Sequence, residues 1–92
     1  MYSVFLKPKA KKYLDKVVDA KYREKIKEAI KFLAIEPVPF RVYGLKKVEG
    51  LEDNYRIRIG KYRFIYAIFH NENSIVVTKI DKRDENTYNW SG

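Results

Sequence analysis

The chain has 92 residues, with 20 Lys and Arg against 12 Asp and Glu, so its net charge is +8. This length fits a single domain, residues 1–92, around one core. The absence of Cys and the presence of one His, His70, exclude a disulfide scaffold, a thiol nucleophile and a Cys- or His-rich metal site, so no cofactor is expected. No apolar run approaches the roughly 18 residues of a membrane span. We therefore expect a cytoplasmic, cationic domain that binds a polyanion such as RNA or DNA and no membrane.

The first third of the chain predicts a strand followed by two helices. Residues 2–7 alternate between two faces, as a strand does. Pro8 ends this strand and suits the first turn of a helix. Apolar residues then recur at helical spacing over 10–18 and 22–33, with Asp19 as the N-cap between them. Because Pro37 ends the second helix and the link between the helices is short, we expect an antiparallel helix hairpin.

The second half predicts three strands. Residues 38–53 show little periodicity and are expected to form a loop. Two-residue alternation predicts strands over 54–59, 62–69 and 74–81. Gly60-Lys61 has the pattern of a two-residue hairpin turn, and residues 70–73 form a second turn. A polar tail completes the chain.

The predicted hairpin places arginines together on one face of the sheet. If Gly60-Lys61 is the turn, Arg58 lies opposite Arg63 and Arg56 lies opposite Ile65. Like charges directly opposite each other are unfavourable by about 0.2–1 kcal/mol, so stability alone does not explain this arrangement. Two interpretations stay open. Either a phosphate supplies the missing negative charge, or an acid of the chain does; the candidate acids are Asp53, Glu49 and Asp81.

Further basic and aromatic residues lie close to this cluster along the chain. Arg83 follows the last predicted strand and can complete the cluster. Tyr88, five residues on, can stack on a nucleotide base, although a tail tyrosine taken alone is more often a surface or packing residue. Three lysines are further candidates for RNA binding, namely Lys46, Lys47 and Lys82.

Residues 45–51 (LKKVEGL) and 54–66 (NYRIRIGKYRFIY) resemble the centre of the RelE/ParE toxin superfamily. The resemblance implies an α+β fold of order β-α-α-β-β-β, with a four-stranded antiparallel sheet and a two-helix hairpin packed on one face. It implies a toxin of a type II toxin–antitoxin pair, with an acidic RelB-like antitoxin as its partner. RelE-type members cut mRNA, typically on the ribosome, whereas ParE-type members inhibit DNA gyrase; the fold alone does not choose between them.

The resemblance also implies site residues. Arg56 and Arg58 match the two basic strand positions of RelE-type sites, which are often lysines. Arg63 matches the arginine of the next strand, Arg83 the arginine after the last strand, and Tyr88 the stacking tyrosine. Where RelE-type enzymes have a lysine that can act as general base, this chain has Arg58, which does not deprotonate.

Metal-free RNA cleavage by the adjacent 2′-hydroxyl needs alignment, stabilisation of charge on the phosphorane and proton transfer. The arginines can stabilise the charge on the phosphorane, and Tyr88 can align the RNA. The proton acceptor stays open among Lys82, Glu49, Tyr88 and His70. Three functions remain: a RelE-type endoribonuclease, a ParE-type gyrase inhibitor without chemistry, and an inactive basic nucleic-acid-binding module.

Overall fold

The computed structural model describes residues 1–40 and 44–82. This part of the chain forms two helices and one five-stranded sheet. The elements are β1 Ser3–Leu6, α1 Pro8–Asp15, α2 Ala20–Phe32, β2 Gly44–Lys47, β3 Asn54–Ile59, β4 Tyr62–Phe69, a 3-10 turn His70–Glu72, and β5 Ser74–Lys82. Neither helix is long and apolar enough to cross a membrane.

Both helices begin where the sequence predicts. Pro8 occupies the first turn of α1, where its missing N–H leaves no helical hydrogen bond unmade. Asp19 caps α2, its Oδ1 accepting a hydrogen bond of 3.0 Å from the Lys21 backbone N–H. Leu14 of α1 and Ile26 and Ile30 of α2 are buried, and they join the core against one face of the sheet. The two helices therefore cover that face. The opposite face, which carries neither of these two helices, is called the open face below.

The sheet has the strand order β1-β5-β4-β3-β2. The predicted α+β fold with two helices on one face is confirmed, but two details of the sheet are wrong. First, β1 pairs with β5 in parallel, from Ser3 with Ser74 to Leu6 with Val77. These two strands are joined by most of the chain rather than by a hairpin, so nothing forces them to be antiparallel.

Second, β2 lies inside residues 38–53, which were expected to form a loop. It is four residues long and pairs antiparallel with β3 at the edge of the sheet. Only Leu45 of this strand is partly buried, so the strand has no alternation of burial strong enough to appear in the sequence. The sheet thus has five strands instead of four.

The β3–β4 hairpin has the predicted register, with Ile59 opposite Tyr62, Arg58 opposite Arg63, and Arg56 opposite Ile65. Gly60 in its turn has φ +58, a conformation that favours glycine. The Tyr22 ring of α2 lies where a Cβ at Gly60 would stand. The turn is therefore held against the helix layer by close contact with the glycine backbone.

The face of the sheet that meets the helices is apolar and almost fully buried. Its least exposed side chains are Ile57, Phe64, Tyr66, Ile75 and Val77. The Tyr66 phenol donates a hydrogen bond of 2.6 Å to the Pro37 carbonyl oxygen, which ties the segment after α2 to β4. Burial, followed by the nearby Tyr55, raises the pKa of Tyr66.

Candidate nucleic-acid interface

Two rows of side chains cross the open face of the sheet, opposite the helices. The first row is Gly44, Arg58, Arg63 and Asp81, and the second is Lys46, Arg56, Ile65 and Lys79. We call these eight positions the basic face. Neighbouring strands lie about 4.8 Å apart, so each row spans about 15 Å. Five of the eight residues are cationic and one is acidic, which suits a surface that binds an anionic chain.

Arg63 lies near the middle of the basic face and is only 5% exposed. Its Nε donates a hydrogen bond of 2.8 Å to Asp81 Oδ1 on the neighbouring strand. A buried guanidinium needs such a partner, because an uncompensated buried charge is strongly destabilising. Arg63 is therefore paired with an acid of the chain, as one of the two interpretations of the arginine cluster predicts. That acid is Asp81. The carboxylate also fixes the orientation of the guanidinium within the row.

Arg58 differs from Arg63, its opposite neighbour, because it is exposed to solvent. On its other side the row contains Gly44, which has no side chain. A Cβ there would lie 3.3 Å from the Arg58 Cβ, which is tighter than most contacts between side chains. The glycine therefore avoids crowding of the Arg58 side chain by its neighbour on β2. Arg56, in the second row, is half-buried.

A β-bulge decides which side chains of β5 reach the basic face. Ile65 pairs with Lys79 whereas Tyr66 pairs with Val77, so Thr78 is an extra residue in β5. The Thr78 hydroxyl donates a hydrogen bond of 3.3 Å to the Ile65 carbonyl oxygen at this point. Beyond the bulge the alternation of β5 is inverted. Lys79 and Asp81 consequently lie on the open face, and Ile80 enters the core.

The lysine candidates divide between the two faces. Lys46 lies in the second row beside Arg56. Lys47 pairs with Tyr55 and Lys82 pairs with Tyr62, so both alternate away from the basic face. The Lys47 ammonium instead donates to the Leu51 carbonyl oxygen at 3.4 Å. Of the three lysine candidates for RNA binding, the basic face thus contains Lys46.

Arg83 and Tyr88, which complete the predicted site, lie outside the described residues. Three of the four candidate proton acceptors are described, and two of these, Glu49 and His70, lie at the far end of the sheet. Glu49 is in the turn between β2 and β3, and His70 follows β4, seven residues or about 23 Å of strand from Arg63. His70 contacts the Tyr2 hydroxyl at 3.0 Å through Nδ1 and Asp53 Oδ1 at 3.3 Å through Nε2.

Comparisons with known proteins show which family the chain belongs to. A sequence model of the family described as "ParE toxin of type II toxin-antitoxin system, parDE" matches residues 4–87. Over 61 residues the chain is 34% identical to a Methanocaldococcus jannaschii protein assigned as toxin RelE1, covering 66% of this chain and 68% of that protein.

Solved structures give the same result. A chain in the archaeal RelE–RelB complex from Pyrococcus horikoshii OT3 superposes with a TM-score of 0.75 at 31% identity, covering 91% of this chain and 97% of its own. The isolated E. coli RelE toxin gives a TM-score of 0.77 at 22% identity, covering 97% and 93%, which shows the shared fold. The chain therefore belongs to the ParE/RelE family of toxins of type II toxin–antitoxin systems. The resemblance seen in the sequence is confirmed.

Proposed function

We propose that this toxin is an endoribonuclease that cleaves mRNA on the ribosome, in the cytoplasm. The observation that carries the proposal is the first row of the basic face. It places Arg58 directly opposite Arg63, with Cα atoms about 5 Å apart, on the face of the sheet opposite the two described helices. A single phosphodiester is small enough to contact both guanidinium groups, and arginine donates to phosphate oxygens in pairs.

The proposed chemistry uses the 2′-hydroxyl of the RNA as the nucleophile. It attacks the adjacent phosphorus and expels the 5′-oxygen, leaving a 2′,3′-cyclic phosphate and a 5′-hydroxyl. Arg58, Arg63 and Arg56 stabilise the negative charge that develops on the phosphorane, which is usually the largest electrostatic contribution to such a reaction. Lys46 contacts the neighbouring phosphate in this proposal. No metal ion takes part.

Two residues of the tail belong to the proposal on the ground of sequence. Arg83 follows β5 directly and adds a further cation, and Tyr88 stacks on a base next to the cleaved phosphate. Stacking of this kind contributes about 1–3 kcal/mol per base and holds the nucleotide in line for attack.

The experiment that tests this function compares two reactions with one preparation of toxin. Ribosomes carrying a synthetic mRNA with an empty A site are incubated with the toxin, and the RNA is analysed for cleavage. DNA gyrase supercoiling is measured in parallel at the same toxin concentrations. Cleavage with no effect on supercoiling is expected. Inhibition of supercoiling without RNA cleavage would overturn the proposal in favour of the gyrase-inhibiting class, and neither effect would favour an inactive nucleic-acid-binding module.

An acidic antitoxin is the second partner that we propose. Complexes of RelE with RelB are known from P. horikoshii, E. coli and Methanococcus jannaschii. A partner that neutralises a chain of charge +8 should be acidic and should associate faster at low salt. Stopped-flow mixing with the product of a neighbouring acidic reading frame tests this. An association rate that is equal at low and high salt would contradict the electrostatic part.

A further inference from the structure

We propose that the Asp81 carboxylate is the general base that removes the proton of the RNA 2′-hydroxyl. This inference rests on the proposed function and deepens it, because it assigns the one chemical role that the sequence leaves open. Asp81 lies in the first row of the basic face, next to Arg63 and two strands from Arg58. It is the only Asp or Glu in the five strands.

The two oxygens of the carboxylate have different surroundings. Oδ1 accepts the 2.8 Å hydrogen bond from Arg63 Nε. Oδ2 lies 3.6 Å from the Lys79 ammonium, which is beyond the length of a good hydrogen bond. The Asp81 side chain is 25% exposed, against 6% for that of Arg63. We therefore assign the proton transfer to Oδ2, because Oδ1 already accepts the hydrogen bond that holds the arginine in place.

The bulge at Thr78 is what places Asp81 on the basic face. Ile75 and Val77 point into the core, and regular alternation would send residues 79 and 81 there too. The extra residue inverts the alternation and brings Asp81 beside Arg63 instead. Bulges often re-aim a side chain next to an active site. Without it, the carboxylate would lie on the apolar face, away from the Arg63 guanidinium.

The other described candidates are placed less well for this role. Arg58 occupies the position where a lysine base could stand, and arginine stays protonated. Glu49 and His70 lie at the far end of the sheet, and Lys82 alternates towards the other face. Among the described residues of the basic face, Asp81 is the group best able to accept a proton.

The step balances without a co-reactant. Asp81 Oδ2 takes the proton of the 2′-hydroxyl, and the 2′-oxygen forms a bond to phosphorus. The bond between phosphorus and the 5′-oxygen breaks, and that oxygen takes a proton from water. The cyclic product leaves, and Asp81 returns its proton to water. Arg63 stabilises the phosphorane and is oriented by the same carboxylate.

The test compares D81N and D81E with the wild type on mRNA-programmed ribosomes under single-turnover conditions. Asn keeps an oxygen that accepts from Arg63 Nε but cannot take a proton at neutral pH. We expect D81N to lose at least about 100-fold in rate, as removal of a general base does, and D81E to stay within about tenfold of the wild type. D15N, the same change on the exposed side of α1, is the matched control and should keep the wild-type rate.

Two measurements separate proton transfer from a structural effect. Affinity for an mRNA with a 2′-deoxyribose at the cleaved nucleotide should be equal for D81N and the wild type within about threefold, because the arginines still bind the phosphate. The wild-type rate should fall at least about twofold in D2O, since a proton moves in the transition state. The absence of this isotope effect would overturn the proposal without any variant. Its presence shows that a proton moves, and the contrast between D81N and D81E then assigns that proton to Asp81.

The outcomes are distinct. Cleavage by D81N at the wild-type rate, or a wild-type rate that is equal in H2O and D2O, would overturn the role of Asp81 and leave the proposed function standing. Equal losses of rate and of affinity for the deoxy RNA would also overturn it, because Asp81 would then only position Arg63. No cleavage by the wild type would overturn the proposed function, and this inference with it.

Discussion

The β3–β4 hairpin has two faces built from alternate residues of the same strands, and they differ in almost every respect. On the helix face, Ile57 and Phe64 are 0% and 1% exposed and belong to the core. On the opposite face, the positions next to them hold Arg58, which is exposed, and Arg63, which is buried only with a carboxylate partner. From one residue of a strand to the next, the surroundings of the side chain thus change from an apolar core to a cluster of charged groups.

This difference separates stability from activity along the chain. The helix face stabilises the fold through burial of apolar surface, at about 25 cal/mol per Å². The basic face places opposed arginines together, which gains nothing for the fold. Substitutions on the helix face should therefore lower the stability, and substitutions on the basic face should lower the proposed activity.

The largest effect is expected for Phe64→Ala on the helix face. Removing a fully buried ring leaves a cavity, and such changes reduce the free energy of unfolding by about 3–5 kcal/mol. Denaturant unfolding measures this. Phe69→Ala is the matched control, because Phe69 lies in the same strand but is 47% exposed, and it should change the stability by less than about 1 kcal/mol. Similar losses for the two variants would contradict the separation of the faces.

Arg58→Ala, on the basic face, should lower the cleavage rate and leave the stability unchanged. We expect the cleavage rate to fall by about 10²–10³-fold, as when one transition-state donor is lost, with the stability unchanged within about 0.5 kcal/mol. Arg58 is a cleaner probe than Arg63, whose removal would also take the hydrogen bond from Asp81 Oδ1. Lys31→Ala removes the same charge from α2 and should keep the wild-type rate. Equal losses of rate for these two variants would mean that net charge, and not the basic face, matters.

Gly60→Ala tests the turn that joins the two strands. A non-glycine residue at φ +58 is strained by about 1–3 kcal/mol, and its Cβ would also displace the Tyr22 ring. Gly50→Ala is the control, since Gly50 has φ +83 but nothing near its Cβ position. Thermal unfolding should show a larger loss at Gly60 than at Gly50. Equal losses would show that the Tyr22 contact contributes nothing.

Tyr66→Phe should have the smallest effect, about 1 kcal/mol, from the lost hydrogen bond to the Pro37 carbonyl. The difference in stability between this variant and the wild type depends on pH. The pKa of Tyr66 is raised in the folded state, so above pH about 10 the unfolded state loses this proton first and the wild type loses stability as the pH rises.

Stability measured from pH 8 to pH 11 should therefore fall less steeply for Tyr66→Phe than for the wild type. Tyr55→Phe serves as the control, because its ring stacks on Tyr66 at 5.9 Å between centroids and is only partly buried. If the wild type and Tyr66→Phe showed the same alkaline slope, the phenol of Tyr66 would not be buried as described.

Local patterns made much of the fold and part of the site predictable. Asp19, Pro8 and Gly60-Lys61 act on their own neighbours, so the helix starts and the hairpin register follow from the sequence. The shared face of Arg56, Arg58 and Arg63 follows from that register alone. Identification of the family came from the same residues, because the hairpin carries the motif.

The rest depends on contacts between distant segments. The parallel pairing of β1 with β5 joins residues about 70 positions apart, and no local pattern encodes it. The bulge at Thr78 is equally hidden, since a threonine in a strand has no distinctive signal. Regular alternation from Val77 would put Asp81 in the core, and only the observed register brings it to Arg63.

In the proposed function, the basic face supports attack by the RNA 2′-hydroxyl. The most direct measurement is the chemistry of the product ends on ribosome-bound mRNA, with ribose or 2′-deoxyribose at the cleaved nucleotide. We predict a 2′,3′-cyclic phosphate and a 5′-hydroxyl from the ribose substrate and no cleavage of the deoxy substrate. A 5′-phosphate product, or cleavage of both substrates, would contradict the account, since water and not the RNA would then be the nucleophile.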